Sequence, residues 1–127
     1  MAINNMVVEG ISQNGWIAIE GANTALCTTV SIRTNCFGRC DAKISVTEES
    51  TGKCSVFQIT GIFKNATSGA SLIDSRVSLL PLGDSSLALA SAAFVANGNS
   101  LSAYVTGIEG LNLAFEVQLS ADQVVKS

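Results

Sequence analysis

From Gly98 to Ser120 the chain reads GNSLSAYVTGIEGLNLAFEVQLS, and along it apolar and polar residues alternate, break at TGIEG and resume with the same period. In an extended chain successive side chains point to opposite faces, so this alternation predicts two half-buried β-strands joined by a turn. Leu101, Ala103 and Val105, then Leu111, Leu113, Phe115, Val117 and Leu119, fall on the inward face. Ser102, Tyr104, Thr106, Asn112, Glu116 and Gln118 take the outward one. A sheet apolar on one face needs a second layer to cover it.

The same period recurs upstream. Leu26, Thr28, Val30 and Ile32 share a face, as do Ile44 and Val46, and then Phe57, Ile59, Gly61 and Phe63. Turn signals separate these runs: QNG at 13–15, EGAN at 20–23, NCFGRCD at 35–41, STGK at 50–53, NATSGA at 65–70, PLGDSS at 81–86, NGNS at 97–100 and GIEG at 107–110. Strands of five to ten residues at that spacing predict an all-β fold, a single antiparallel β-sandwich of jelly-roll or Ig-like type. The run SLALASAAFVA, 86–96, is alanine-rich, but Leu87, Leu89, Ser91, Ala93 and Val95 alternate into the NG turn signal, and it reads as one strand. Residues 1–14 read as an N-terminal arm and 15–127 as the β-sandwich domain, with Ile3, Met6, Val7 and Val8 as the apolar contacts of that arm.

A chain of 127 residues supports one hydrophobic core. Charged residues make up 13%, about half the share usual in a soluble domain, which favours burial against other protein chains. The seven Lys and Arg form no stripe and the formal net charge is −3, so nucleic acid is not an expected partner. No charged segment followed by an apolar one opens the chain, and no apolar run approaches the ~20 residues of a membrane helix, so the expectation is synthesis in the cytosol and no membrane partner. The absence of histidine removes the commonest general base and metal ligand, and the carboxylates fall mostly in turns or at strand ends. The expectation is a protein that is not an enzyme and carries no cofactor.

Four cysteines, Cys27, Cys36, Cys40 and Cys54, lie in the first half, two of them in CFGRC, which reads as a loop. Three readings compete: buried free thiols acting as small hydrophobes, disulfides in an oxidising medium, and a zinc site, for which the paired CxxC knuckles are missing. Trp16 and Tyr104 carry the aromatic candidates for stacking on a sugar; the competing assignments are core for Trp16 and interface for Tyr104. Asn65 in NAT matches a glycosylation acceptor, a chance match without a secretory signal.

The succession TTVSIRT, FQITGIFKNA, LGDSSLALA, NSLSAYVTGIEGLNLAFEVQLS and DQVV, from Trp16 to Val125, resembles a β-sandwich module of tailed-bacteriophage virion structural proteins. The chain departs from that pattern where the module has tryptophan and this sequence has Leu87 and Phe115, and in its four cysteines. The resemblance implies a virion component. A capsid decoration, or cement, protein that bridges coat subunits fits the length, with the major capsid protein as partner and a homo-oligomer, trimer or dimer, as the working form. The alternative implied is a tail-fibre or receptor- and carbohydrate-binding module of the virion.

Overall fold

The computed structural model describes the main chain of residues 6–126 and the side chains of residues 8–125. Among the described residues eight strands follow in order: β1 (Met6–Glu20), β2 (Thr24–Ser31), β3 (Cys36–Glu48), β4 (Lys53–Ala66), β5 (Gly69–Gly83), β6 (Ser91–Asn97), β7 (Ser100–Thr106) and β8 (Asn112–Lys126), with a 3-10 turn at Ser85–Leu87. They form two antiparallel sheets, one of five strands in the order β1-β8-β3-β4-β5 and one of three in the order β2-β7-β6. This is the all-β sandwich that the alternation predicts.

The inward faces of the two sheets build the core. Ile44, Val46, Phe57, Ile59, Phe63, Leu113, Phe115, Val117 and Leu119 from the larger sheet meet Val30, Phe94, Leu101, Ala103 and Val105 from the smaller, all buried. Leu87 and Phe115, the departures from the phage-module pattern, are both buried, so each keeps an apolar side chain in the core. Hairpins close where glycine supplies a positive φ, as at Gly52 in STGK (φ 73°) and Gly98 in NGNS (φ 57°).

Several expectations change. QNG is not a turn: β1 runs through it, and Gly15 is there because a Cβ would stand 2.4 Å from the carbonyl oxygen of Cys27 in the facing sheet. CFGRC is not a loop either. It opens β3, and a Cβ on Gly38 would lie 2.0 Å from the carbonyl oxygen of Asp122 on β8. SLALASAAFVA divides into the 3-10 turn and β6, and the inward residues of β6 are Ala92, Phe94 and Ala96; Leu89 is 82% exposed. Leu26 leaves the face of Thr28, Val30 and Ile32 because a bulge between Leu26 and Thr28 inserts an extra residue into the β2–β7 ladder.

The boundary expected at residue 14 falls inside β1, which pairs with β8 without interruption from Met6↔Lys126 to Glu20↔Asn112. In their described part, residues 6–14 are thus sheet edge and not a detached arm. Ile3 and the side chains of Met6 and Val7 lie outside the described residues, and Val8 is exposed on β1.

Candidate interaction surface

The outer face of the five-stranded sheet is built by the residues that alternate with the core. Register places Ser12, Asn14 and Trp16 of β1 beside Ser120, Gln118 and Glu116 of β8. These stand beside Asp41, Lys43 and Ser45 of β3, and Thr60, Gln58 and Val56 of β4 complete the rows. The result is a largely polar lattice of hydroxyls, amides, two carboxylates and an ammonium, with one large aromatic at its rim.

Two adjoining troughs cross this face. One, about 470 Å³, lies over Ser12, Asn14, Asp41, Lys43, Gln58 and Gln118. The other, about 310 Å³, lies over Asn14, Trp16, Glu116 and Gln118. Asp41 is the organising group: its Oδ1 accepts from Thr60 Oγ1 at 2.6 Å and pairs with Arg39 Nη2 at 3.2 Å, while Gln58 Nε2 stands at 3.5 Å. Thr60 Oγ1 is also 2.8 Å from Ser78 Oγ of β5. Side chains held by one another in this way present donors and acceptors at fixed spacing, which suits a polyhydroxylated ligand lying flat across the strands.

Trp16 is 58% exposed, so it is not the core residue that one reading of the sequence allowed. Its indole combines an apolar ring face with a polar N–H, the combination that stacks on a sugar ring while hydrogen-bonding its hydroxyls. Tyr104 is elsewhere. It alternates outward on β7 of the smaller sheet, where its neighbours across the ladders are Leu26 and Ala93. The two aromatics therefore belong to opposite surfaces.

The four cysteines do not converge. All are free thiols; Cys36 and Cys40 are buried, Cys27 is half-buried and Cys54 is exposed. Cys36 and Cys40 are four residues apart on one strand, which separates their Cα atoms by roughly 13 Å, beyond disulfide reach. Cys54 pairs with Thr47 at the opposite end of the β3–β4 hairpin from Cys36, which pairs with Asn65. Among the described residues no group of three or more His, Cys, Asp or Glu side chains is placed to hold a metal ion. Burial pushes the Cys40 thiol up to about 12, with the neighbouring Asp41 carboxylate adding to the shift. Burial also raises Cys36 and Cys27. Cys36 Sγ donates to the Arg33 carbonyl at 2.9 Å. No helix among the described residues is long and apolar enough to cross a membrane.

No family model and no curated protein matches this chain. Among solved structures, it is similar to tailspike protein gp49 of Acinetobacter baumannii bacteriophage Fri1, a capsular polysaccharide depolymerase, with 12% identity and a TM-score of 0.50 over 99% of this chain. It is also similar, less closely, to the tailspike protein of Acinetobacter baumannii phage AM24, with 7% identity and a TM-score of 0.43 over 94% of this chain. The chain spans 19% of the length of the first and 26% of the second. At 12% identity the Fri1 superposition shows a shared fold, that of one sandwich-sized portion of a much longer tailspike.

Proposed function

We propose that the chain is a structural module of a bacteriophage virion, of the tail-appendage type, and that the outer face of its five-stranded sheet contacts a glycan. The observation that carries the phage reading is the superposition of nearly the whole chain on one portion of the Fri1 tailspike. It favours the tail-fibre or receptor-binding alternative over capsid decoration, because the fold it matches belongs to a tail protein. Depolymerase activity is a property of that longer chain. In this reading the present module binds and positions, and it is not an enzyme.

The glycan reading rests on the exposed indole of Trp16 beside the polar row of Asn14, Gln118, Lys43 and Gln58. A decoration protein that used the same face would instead lay it on the major capsid protein, and the two differ in stoichiometry.

The decisive experiment counts copies of this protein against the major capsid protein in purified particles by quantitative mass spectrometry. A copy number far below that of the coat supports the tail reading. One comparable to the coat overturns it in favour of decoration, and absence from particles overturns the virion reading altogether. Glycan binding is then measured for wild type and Trp16→Ala by titration with capsular oligosaccharides. Loss of binding in a folded variant supports the surface assigned here, and unchanged binding removes it.

A further inference from the structure

Strand β5 is one of the two edges of the five-stranded sheet, tied at its N-terminal end to the β6–β7 hairpin by the Ala70 N–H, which donates to the Gly98 carbonyl at 2.8 Å, and beyond that point it is unusually apolar for an edge. Ile73 (57% exposed), Val77 (52%), Leu80 (74%) and Leu82 (63%) stand in solvent along its 15 residues. Natural edges are blunted by charge, proline, bulges or a covering segment, because a bare edge recruits another strand. Here a proline and bulges flank one short central stretch. Pro81 lies near the C-terminal end, and the β4–β5 ladder shifts register between Val56 and Ile59 and again between Ile62 and Phe63. Between those shifts Asp74, Ser75, Arg76 and Val77 pair in regular register with Ile62, Gly61, Thr60 and Ile59.

That regular stretch carries the only two charges of β5, Asp74 and Arg76, on either side of Ser75. Neither makes an ion pair among the described residues. The run Ile73-Asp74-Ser75-Arg76-Val77 therefore reads apolar, negative, small, positive, apolar, a pattern complementary to itself when reversed. Antiparallel pairing of two copies about a two-fold axis at Ser75 sets Asp74 opposite the partner's Arg76 and Arg76 opposite the partner's Asp74. Parallel pairing in register would instead oppose like charges. We infer that β5 is a homodimerisation edge, joining the five-stranded sheets of two copies through an isologous β5–β5 ladder centred on Ser75.

This inference stands on the edge itself and not on the phage reading.

Charge exchange tests it, with sedimentation equilibrium as the readout and circular dichroism to check the fold. Wild type is expected to be dimeric at high micromolar concentration. Asp74→Arg alone and Arg76→Asp alone each place like charges opposite across the two-fold and are expected to weaken self-association at least tenfold. The double variant D74R/R76D is expected to dimerise again, and an equimolar mixture of the two single variants is expected to form the heterodimer. A monomeric wild type, a trimer, single variants that self-associate as wild type does, or a mixture that stays monomeric would each overturn the assignment.

Discussion

The side-chain amide of Asn65 donates to the main-chain carbonyl of Arg33 at 2.8 Å, across 32 residues of chain. On the other side of the same residue, the Arg33 N–H donates to Gln123 Oε1 at 3.0 Å. Asn65 and Gln123 are both about 1% exposed, and they lie on β4 and β8. Together they clamp the β2–β3 crossover, the segment where the chain passes from the small sheet to the large one. Asn65 Nδ2 also reaches Asn99 Oδ1 at 3.0 Å, tying in the tip of the β6–β7 hairpin. Replacing Gln123 by Leu leaves the Arg33 N–H unpaired, at a cost of about 1–3 kcal/mol, whereas replacing Asn65 by Leu leaves the Arg33 carbonyl the Cys36 thiol as donor and is expected to cost less. Urea denaturation of N65L, Q123L and the double variant checks this. Because both hold the main chain of one residue, Arg33, the double variant is expected to lose less than the sum.

The clamp also marks where sequence reading stops. The inward faces of β7 and β8 are legible because the apolar residues keep the period of two from Leu101 to Val105 and from Leu113 to Leu119, although Ser102, expected outward, is buried as well, with its hydroxyl against that of Thr29. The positions of Asn65 and Gln123 are not legible, since a buried amide is recognised only by a distant partner. The order of strands is equally non-local: β8 lies between β1 and β3, and nothing in its own residues says so. Trp16 was ambiguous for a related reason. A lone tryptophan at alternating spacing belongs to one face or the other, and only the pairing of β1 with β8 decides which.

Glycine at 38 is required by space and not by turn geometry. Its missing side chain is filled by the Asp122 carbonyl, and a methyl at 2.0 Å from a main-chain oxygen cannot be accommodated without moving β3 off β8. Gly38→Ala is expected to cost about 3 kcal/mol, the upper end for overpacking. Gly52→Ala is the contrast: it meets open space and bears only the strain of a positive φ, about 1 kcal/mol. Denaturation midpoints of the two variants, at equal m-value, measure the difference.

Trp16 and Phe115 differ in burial as sharply as two aromatics can, 58% against 0% exposed, on neighbouring strands of one sheet. Phe115→Ala opens a cavity in the centre of the sandwich and is expected to lose about 3–5 kcal/mol. Trp16→Ala is expected to lose less than about 1 kcal/mol, because surface substitutions away from buried features cost little. Thermal unfolding of both variants is the check, and a large loss for Trp16→Ala would return that residue to a structural role.

The thiols carry a pH dependence whose sign follows from burial. The ordinary value of a cysteine is 9.0, and in the folded chain Cys40 is raised to about 12. Its contribution to stability is therefore complete below pH 9, and it is lost progressively as pH rises from 9 toward 12, where the unfolded chain has already released the proton. Urea midpoints between pH 8 and 11 are expected to fall more steeply for wild type than for Cys40→Ala. In the native state at pH 8, exposed Cys54 is expected to react with a thiol reagent at once, and Cys36 and Cys40 only on unfolding.

Residues 6–14 give the sharpest separation between an arm and a strand. They pair with Gln118 to Lys126 along β8, and Glu9 Oε2 adds an ion pair to Arg33 Nε at 3.1 Å. The ion pair, with Arg33 60% exposed, contributes little. The ladder contributes more, because its removal bares an edge of β8 whose other side is already occupied by β3. Deleting residues 1–14 is expected to lower the melting temperature by on the order of 10 °C and to promote aggregation through the new edge. A detached arm would come away with the melting temperature unchanged, so calorimetry of the truncated chain beside the full one distinguishes the two.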